Sequence, residues 1–210
     1  MGDHETLQVS LFNDLPVDIG QIPTKRLRKR DYEVRNAPFK QCQYMVSKLH
    51  YAKGGSNTYV YMHGLYKRNG KELMGAAWWL PPTRVACESV NKKNWKRVLG
   101  LTRLVCRPDA PRNSASFLIS GSIKLIKIDG RFDTLVTYAD ESQGHTGSIY
   151  KASNWEYFGR TGPYPRWLDS NGRQVSAKST LNRKKAEMEA LGYTKQGAFH
   201  KHKYIMNLEN

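Results

Sequence analysis

Two apolar runs, TYVYMHGLY (58–66) and ELMGAAWWL (72–80), flank the dipeptide Asn69-Gly70 and are closed off by Pro81-Pro82. Aromatic and β-branched side chains favour extended backbone, Asn-Gly suits a tight hairpin turn, and a proline pair stops a strand. The chain is thus committed to an antiparallel hairpin, with Trp78 and Trp79 on its second strand expected in the core.

The segments around the hairpin change period. From Pro38, which suits a first helical turn, Phe39, Cys42, Met45, Val46 and Leu49 fall at helical spacing up to Gly54-Gly55. LGLTRLVC (99–106) reads as a strand stopping at Pro108. After the turn PDAPRN, the run 114–126 places Phe117, Leu118, Ile123 and Ile126 on a helix capped by Asn113 or Ser114. TLVTYA (134–139) reads as a buried strand, 148–153 as a helix, and Tyr157 as lying in a strand. Further expectations are strands at 7–12 and 203–208, a short helix within 83–98, a loop or arm over 160–176 and a basic helix over 177–191. This order implies one mixed α/β domain.

Of 210 residues, 34 are Lys or Arg and 18 are Asp or Glu, a formal net charge of +16. Hydrophobic residues are 39% of the chain, enough for a core, so wholesale disorder is excluded. The surplus exceeds the roughly 2–8 units that keep a small domain soluble and points to a polyanion, nucleic acid being the commonest inside cells. The cations concentrate at Lys25–Arg30, at Lys92, Lys93, Lys96 and Arg97, and along the C-terminal region. Cys42, Cys87 and Cys106 form no CxxC pair, which fits a reducing compartment. No run approaches the roughly 20 apolar residues that span a bilayer, and MGDHETLQVS has no secretory-signal character. A soluble intracellular protein is expected.

Chemistry concentrates in residues 101–160. A strand leads through a short turn, bracketed by Arg107 and Arg112, into a helix whose free N–H groups suit a pyrophosphate. Asp140 ends a strand, where ligands of open α/β sheets bind, and Tyr150 lies ten residues on with His145 between. A carboxylate and a phenol suit general acid–base work. An N-cap Asp and a core Tyr are the plain alternatives.

ELMGAAWWLPP, LTRLVCRPDAPRNSASFLIS and YADESQGHTGSIYKASNWEYFGRT resemble the GNAT acyltransferases, and more narrowly the phage Mom-like DNA adenine-modification family, over residues 39–160. LTRLV, YAD and QGHTGSIY are the most specific pieces, and the ending KHKYIMNL is also similar. The resemblance implies an α/β fold with a GNAT-like mixed central β-sheet flanked by helices and basic terminal extensions. Its parts would be a basic N-terminal strand and arm (1–36), a catalytic core (37–160) and a basic C-terminal extension completing the domain (161–210). It implies an enzyme that uses acetyl-CoA or a related acyl donor. This enzyme would add an acetamido or carbamoylmethyl-type group to the N6 amine of adenine in double-stranded DNA. DNA would thereby be protected from restriction endonucleases in the cytoplasm of an infected host bacterium.

Carried over residue by residue, the resemblance assigns catalysis to Asp140, Tyr150, Arg103, His50 and Tyr51, with Tyr150 protonating the thiolate leaving group. It assigns the donor to Val105, Arg107, Arg112, Asn113 and Ser114, although CRPDAPRN lacks the glycines of the general GNAT turn. Charge assigns DNA to Lys25, Arg26, Arg28, Lys29, Arg30, Lys184 and Lys185. The resemblance also brings in iron, for which His50, Tyr51, Asp140 and Tyr150 would be N and O donors. No membrane partner is expected, and a homodimer is left open.

The N6 amine of a stacked adenine is shielded from out-of-plane attack, so a flipped or unpaired base is expected, with Trp78, Trp79 and Trp155 as candidate stacking partners. Two rival readings remain: an N-acetyltransferase acting on a protein or small-molecule amine, and a non-enzymatic DNA-binding phage protein.

Overall fold

The computed structural model describes residues 25–175, 180 and 182–208; the strand expected at 7–12 lies outside them. The expected hairpin forms between β2 (Tyr61–Lys67) and β3 (Leu73–Leu80). Asn69 takes a φ of 61°, and the Gly70 N–H donates to the Lys67 carbonyl at 2.8 Å. β1 (Tyr32–Asn36) pairs antiparallel with β2, and β4 (Val98–Cys106) antiparallel with β3. β5 (Thr134–Asp140) runs parallel to β4. β9 (Lys201–Asn207) then lies antiparallel between β5 and β6 (Glu156–Arg160). The seven-stranded sheet has the order β1-β2-β3-β4-β5-β9-β6.

A parallel pair needs a crossover, and α3 (Ser114–Asp129) supplies it between β4 and β5. Leu118, Ile119, Ser122, Ile123 and Ile126 form its buried stripe, and Gly130 ends it in the left-handed region at φ 73°. The stripe packs on Leu65, Trp79, Leu99, Leu101 and Leu135. Leu118 is fully buried, so truncation to Ala costs about 2–5 kcal/mol.

α1 (Phe39–Leu49) covers the other face, burying Cys42, Met45 and Val46 against Met62, Tyr66, Trp78 and Val105. Beside it, α2 (Arg84–Glu88) places Cys87 on Val98, Val136 and Ile205. Strand alternation therefore puts Tyr138 and Asp140 on the α1/α2 face with Val136.

Residues 83–98 do hold the expected short helix, as α2, followed by a 3-10 turn at Trp95–Arg97 that leads into β4. Differences from expectation cluster at the edges. The segment expected as a loop at 160–176 contains β7 (Tyr164–Leu168), which pairs with β8 (Thr194–Phe199) in a separate two-stranded sheet. Its alternation is masked by Pro165 and by a register shift between Arg166 and Trp167. The basic helix expected over 177–191 is described only as α5 (Lys185–Ala190). β1 and β9 both belong to the main sheet, which thus draws on residues either side of 37–160.

Candidate active site

β4 and β5 stay paired only from Val98↔Thr134 to Leu101↔Thr137. Trp78 faces Arg103 and Trp79 faces Leu101, leaving Thr102 as an extra residue whose Oγ1 donates to the Trp78 carbonyl at 3.0 Å. Such a bulge bends and twists its strand, here where β4 leaves β5. Thr137 Oγ1 closes the vertex by donating to the Leu101 carbonyl at 3.1 Å.

The splayed strands bound a cavity of about 130 Å³. On the α1 face it is lined by His50, Tyr51, Arg103, Tyr138 and His145. On the α3 face it is lined by Ala115 and by Ile149 and Tyr150 of α4 (Ser148–Lys151). It thus opens through the sheet. Past Leu101 the β5-facing edge of β4 has no strand partner among the described residues, so its backbone can bond an extended, amide-bearing molecule.

His50 follows α1, and the Ala52 N–H donates to its Nδ1 at 3.1 Å, which places the imidazole proton on Nε2. Burial, then the Arg103 guanidinium, holds its pKa down at about 3. Arg103 is fixed by Nε donating to the Gly54 carbonyl at 2.8 Å and a terminal nitrogen donating to the Thr102 carbonyl at 2.7 Å. The Tyr51 ring lies 4.4 Å from that of His50 and meets His145 edge-on at 5.6 Å. Burial, then the Asp140 charge, raises the Tyr51 phenol. His145 is lowered by burial, with Asp140 opposing, so its imidazole is neutral at physiological pH.

Tyr150 packs on Tyr204 and Trp155, with ring centroids 5.5 and 5.8 Å away. Burial raises its phenol pKa, a hydrogen bond with Thr137 working the other way, and the group stays protonated. Asp140 is not among the lining residues. It is 3% exposed, and its Oδ1 accepts the Ser142 N–H at 3.0 Å and the Tyr164 phenol. The structure thus gathers His50, Tyr51, Arg103 and Tyr150 around one cavity and sets Asp140 behind Tyr51 and His145.

Of the residues expected at the donor, Val105 lines the cavity. Arg107 does not: its guanidinium is held by Glu72 and by Asp109, the latter at 2.8 Å. Asn113 adopts φ 70° and gives α3 no side-chain cap, and the buried Ser114 hydroxyl has no hydrogen-bond partner. Arg112 exchanges backbone hydrogen bonds of 3.0 Å with Lys25 and Leu27. The basic segment is thereby placed beside the first turn of α3, with Lys25, Arg26, Arg28, Lys29 and Arg30 exposed. Lys184 and Lys185 are exposed at the start of α5, Lys185 pairing with Glu189 at 3.6 Å. Trp78, Trp79 and Trp155 are 1%, 0% and 4% exposed and cannot stack on a base; the aromatic rings that line the cavity are those of His50, Tyr51, Tyr138, His145 and Tyr150.

Sequence reasoning missed Tyr164 and Arg166, which the β7–β8 arm brings to the end of β5, and counted Lys201, the β9 residue opposite Asp140, only among the C-terminal cations. Gly-Pro-Tyr-Pro carries no periodic signal that could have found the arm residues. For iron, the described residues hold no group of three or more His, Cys, Asp or Glu able to bind a metal. Asp140 Oδ1 is already doubly bonded and His50 Nδ1 is taken by Ala52. The donor set does not fit iron.

A mixed sheet opened between two parallel strands, with a helix starting at the mouth, is the fold of the GNAT acetyltransferases. An acetyltransferase from Bacillus subtilis solved with CoA superimposes with a TM-score of 0.52 at 12% identity, covering 85% of this chain and 98% of that one. YncA from Salmonella typhimurium, solved with acetyl-CoA, gives 0.50 at 8% identity over 86% and 95%. Within that class the chain belongs to the Mom protein family, whose sequence model matches residues 31–210. It is 30% identical over 123 residues to the methylcarbamoylase Mom of Escherichia phage Mu. The match covers 55% of this chain and 48% of the relative, so the chain spans about half the length of the curated relative that it matches. Among the described residues, no helix is long and apolar enough to cross a membrane.

Proposed function

We propose that this chain is a phage-type DNA-modifying enzyme that transfers an acyl group from an acyl-CoA-type donor to the N6 amine of adenine, leaving an acetamido-type substituent and releasing the thiol of the donor. The observation that carries the reading is the cavity through the β4–β5 splay, with Tyr150 protonated on one side and a neutral His145 on the other. Membership of the Mom family and the net charge of +16 support DNA as acceptor.

The residues present fit such a donor. The free edge of β4 would bond its amide arm, and the uncapped first turn of α3, beside Arg112, would receive its phosphates. When bound, the donor supplies an electrophilic carbon and a sulfur leaving group. Tyr150 holds the proton that sulfur needs on departure. His50, with its proton fixed on Nε2, donates a hydrogen bond where negative charge develops. On the α1 face, His145 accepts the proton that the amine must lose, and the ring of Tyr51 faces the base. Asp140 acts behind them through its charge. An adenine in a stacked duplex cannot reach this space, so the base is taken up flipped, at a cost of a few kcal/mol. Lys25–Arg30 and the arm carrying Lys184 and Lys185 supply phosphate contacts, and the product would resist restriction endonucleases because the substituent fills the face they read.

Nucleoside mass spectrometry of DNA from cells expressing the chain tests this. The wild type should yield a new deoxyadenosine species, and Tyr150→Phe about 100-fold less of it. Unmodified DNA in cells holding soluble wild-type protein overturns the reading. Acylation of a peptide or small amine without DNA would replace it with the protein or small-amine acetyltransferase.

A further inference from the structure

We propose that Tyr164 and Lys201 are positioning residues that act through Asp140, so that the arm inserted between β6 and β9 is a working part of the site. This rests on reading the β4–β5 cavity as the reaction site.

Asp140 ends β5 as a carboxylate 3% exposed to solvent, and a buried charge must have its lone pairs filled. Its own loop supplies one donor, the Ser142 N–H at 3.0 Å. The other two partners are the Tyr164 phenol of the arm, which bonds Oδ1, and Lys201, the β9 residue paired with Asp140, whose Nζ stands 3.9 Å from Oδ2. These two are coupled, because Lys201 Nζ lies 4.9 Å from the centre of the Tyr164 ring. The junction is wider than a single bond. Tyr164 also reaches Ser142 Oγ at 3.3 Å, Arg166 donates to the Ser142 carbonyl at 2.9 Å, and the His200 N–H donates to Glu141 at 3.0 Å.

Residues 140–142 are therefore held in place by the arm. They open the loop that carries His145 to the cavity, and the His145 N–H bonds the Asp140 carbonyl at 3.2 Å. Without the Tyr164 hydroxyl, Oδ1 keeps only the Ser142 N–H, and Asp140 turns away from Tyr51 and His145.

A merely structural latch predicts something different: a loosened arm, hence weaker DNA binding and lower thermal stability, with the saturated rate intact. Tyr164→Phe removes only the hydroxyl and keeps the ring on Lys201. The wild type, Tyr164→Phe, Asp140→Asn and the double variant are compared by rate at saturating DNA, by KM for DNA and by thermal midpoint. We expect Tyr164→Phe to lose about tenfold in kcat with KM within twofold, and the double variant to be no slower than Asp140→Asn alone. Independent losses that multiply, or an unchanged kcat with raised KM, overturn the inference while leaving the reaction standing. A soluble wild type that modifies no DNA overturns the reading and this inference with it. Should Tyr164→Phe fail to fold, Lys201→Met in the same cycle carries the same expectations.

Discussion

Gly147 lies against the ring of Tyr204 so closely that a Cβ on it would overlap the ring carbons, and its φ of 76° is one that residues with a Cβ rarely adopt. Tyr204 in turn donates to the Thr146 carbonyl at 2.7 Å and packs on Tyr150. The glycine thus sets the position of α4, and with it that of the Tyr150 phenol. Gly147→Ala should lower stability by roughly 2–4 kcal/mol, measured by denaturant unfolding. Base modification should be lost even at temperatures where the variant remains folded.

Thr137 guards the vertex of the splay. Thr137→Val keeps the volume but removes the bond to the Leu101 carbonyl. A loss of about 1–3 kcal/mol is expected by denaturant titration. A loss near zero would mean that backbone pairing alone closes the vertex.

His63 predicts acid lability. It is 1% exposed, its Nδ1 has no hydrogen-bond partner, and burial lowers its pKa from 6.5 to about 4. Below 6.5 the unfolded chain takes up a proton that the folded one refuses. Stability should therefore fall as pH drops from 6.5 towards 4, by up to about 1.4 kcal/mol per pH unit. His50, lowered to about 3, adds to the same limb. Urea midpoints across this range should slope accordingly, and His63→Phe should flatten the slope without abolishing it.

The two basic segments should separate experimentally. Lys25 and Arg26 stand beside the first turn of α3 through the pairing with Arg112, whereas Lys184 and Lys185 stand on the arm. Replacing Lys184 and Lys185 by Gln should reduce the log–log salt slope of DNA affinity by roughly 0.9 for each phosphate no longer neutralised. Replacing Lys25 and Arg26 by Gln should also weaken CoA binding, followed by calorimetry. An unchanged CoA affinity would assign that segment to DNA alone.

The central hairpin, α1, β4, α3 and β5 are legible in the sequence because each has a single strong period bounded by Pro, Gly or Asn. The arm is not. β7 and β8 bury little besides Trp167, and half of their residues face solvent, so no alternation marks them. For the site, motif resemblance finds the lining residues His50, Tyr51, Arg103 and Tyr150. It also names Asp140 without its burial, because burial depends on Tyr164 and Lys201, 24 and 61 positions away. Arg107 reads as free for phosphate, yet Glu72, 35 residues earlier, comes to rest beside it. Pairings at such separations leave no local trace.

The place of β9 between β5 and β6 constrains when the site can exist. Residues 201–207 follow every other described element in sequence, yet they close the outer edge of the strand that ends in Asp140. A nascent chain on the ribosome holds the crossover and both splayed strands long before that edge is covered. Until β9 emerges, β5 carries a row of open N–H and C=O groups, a template for mispairing with other chains. Completion of the pocket therefore waits for β9, and its rate is governed by the longest-range pairing in the sheet.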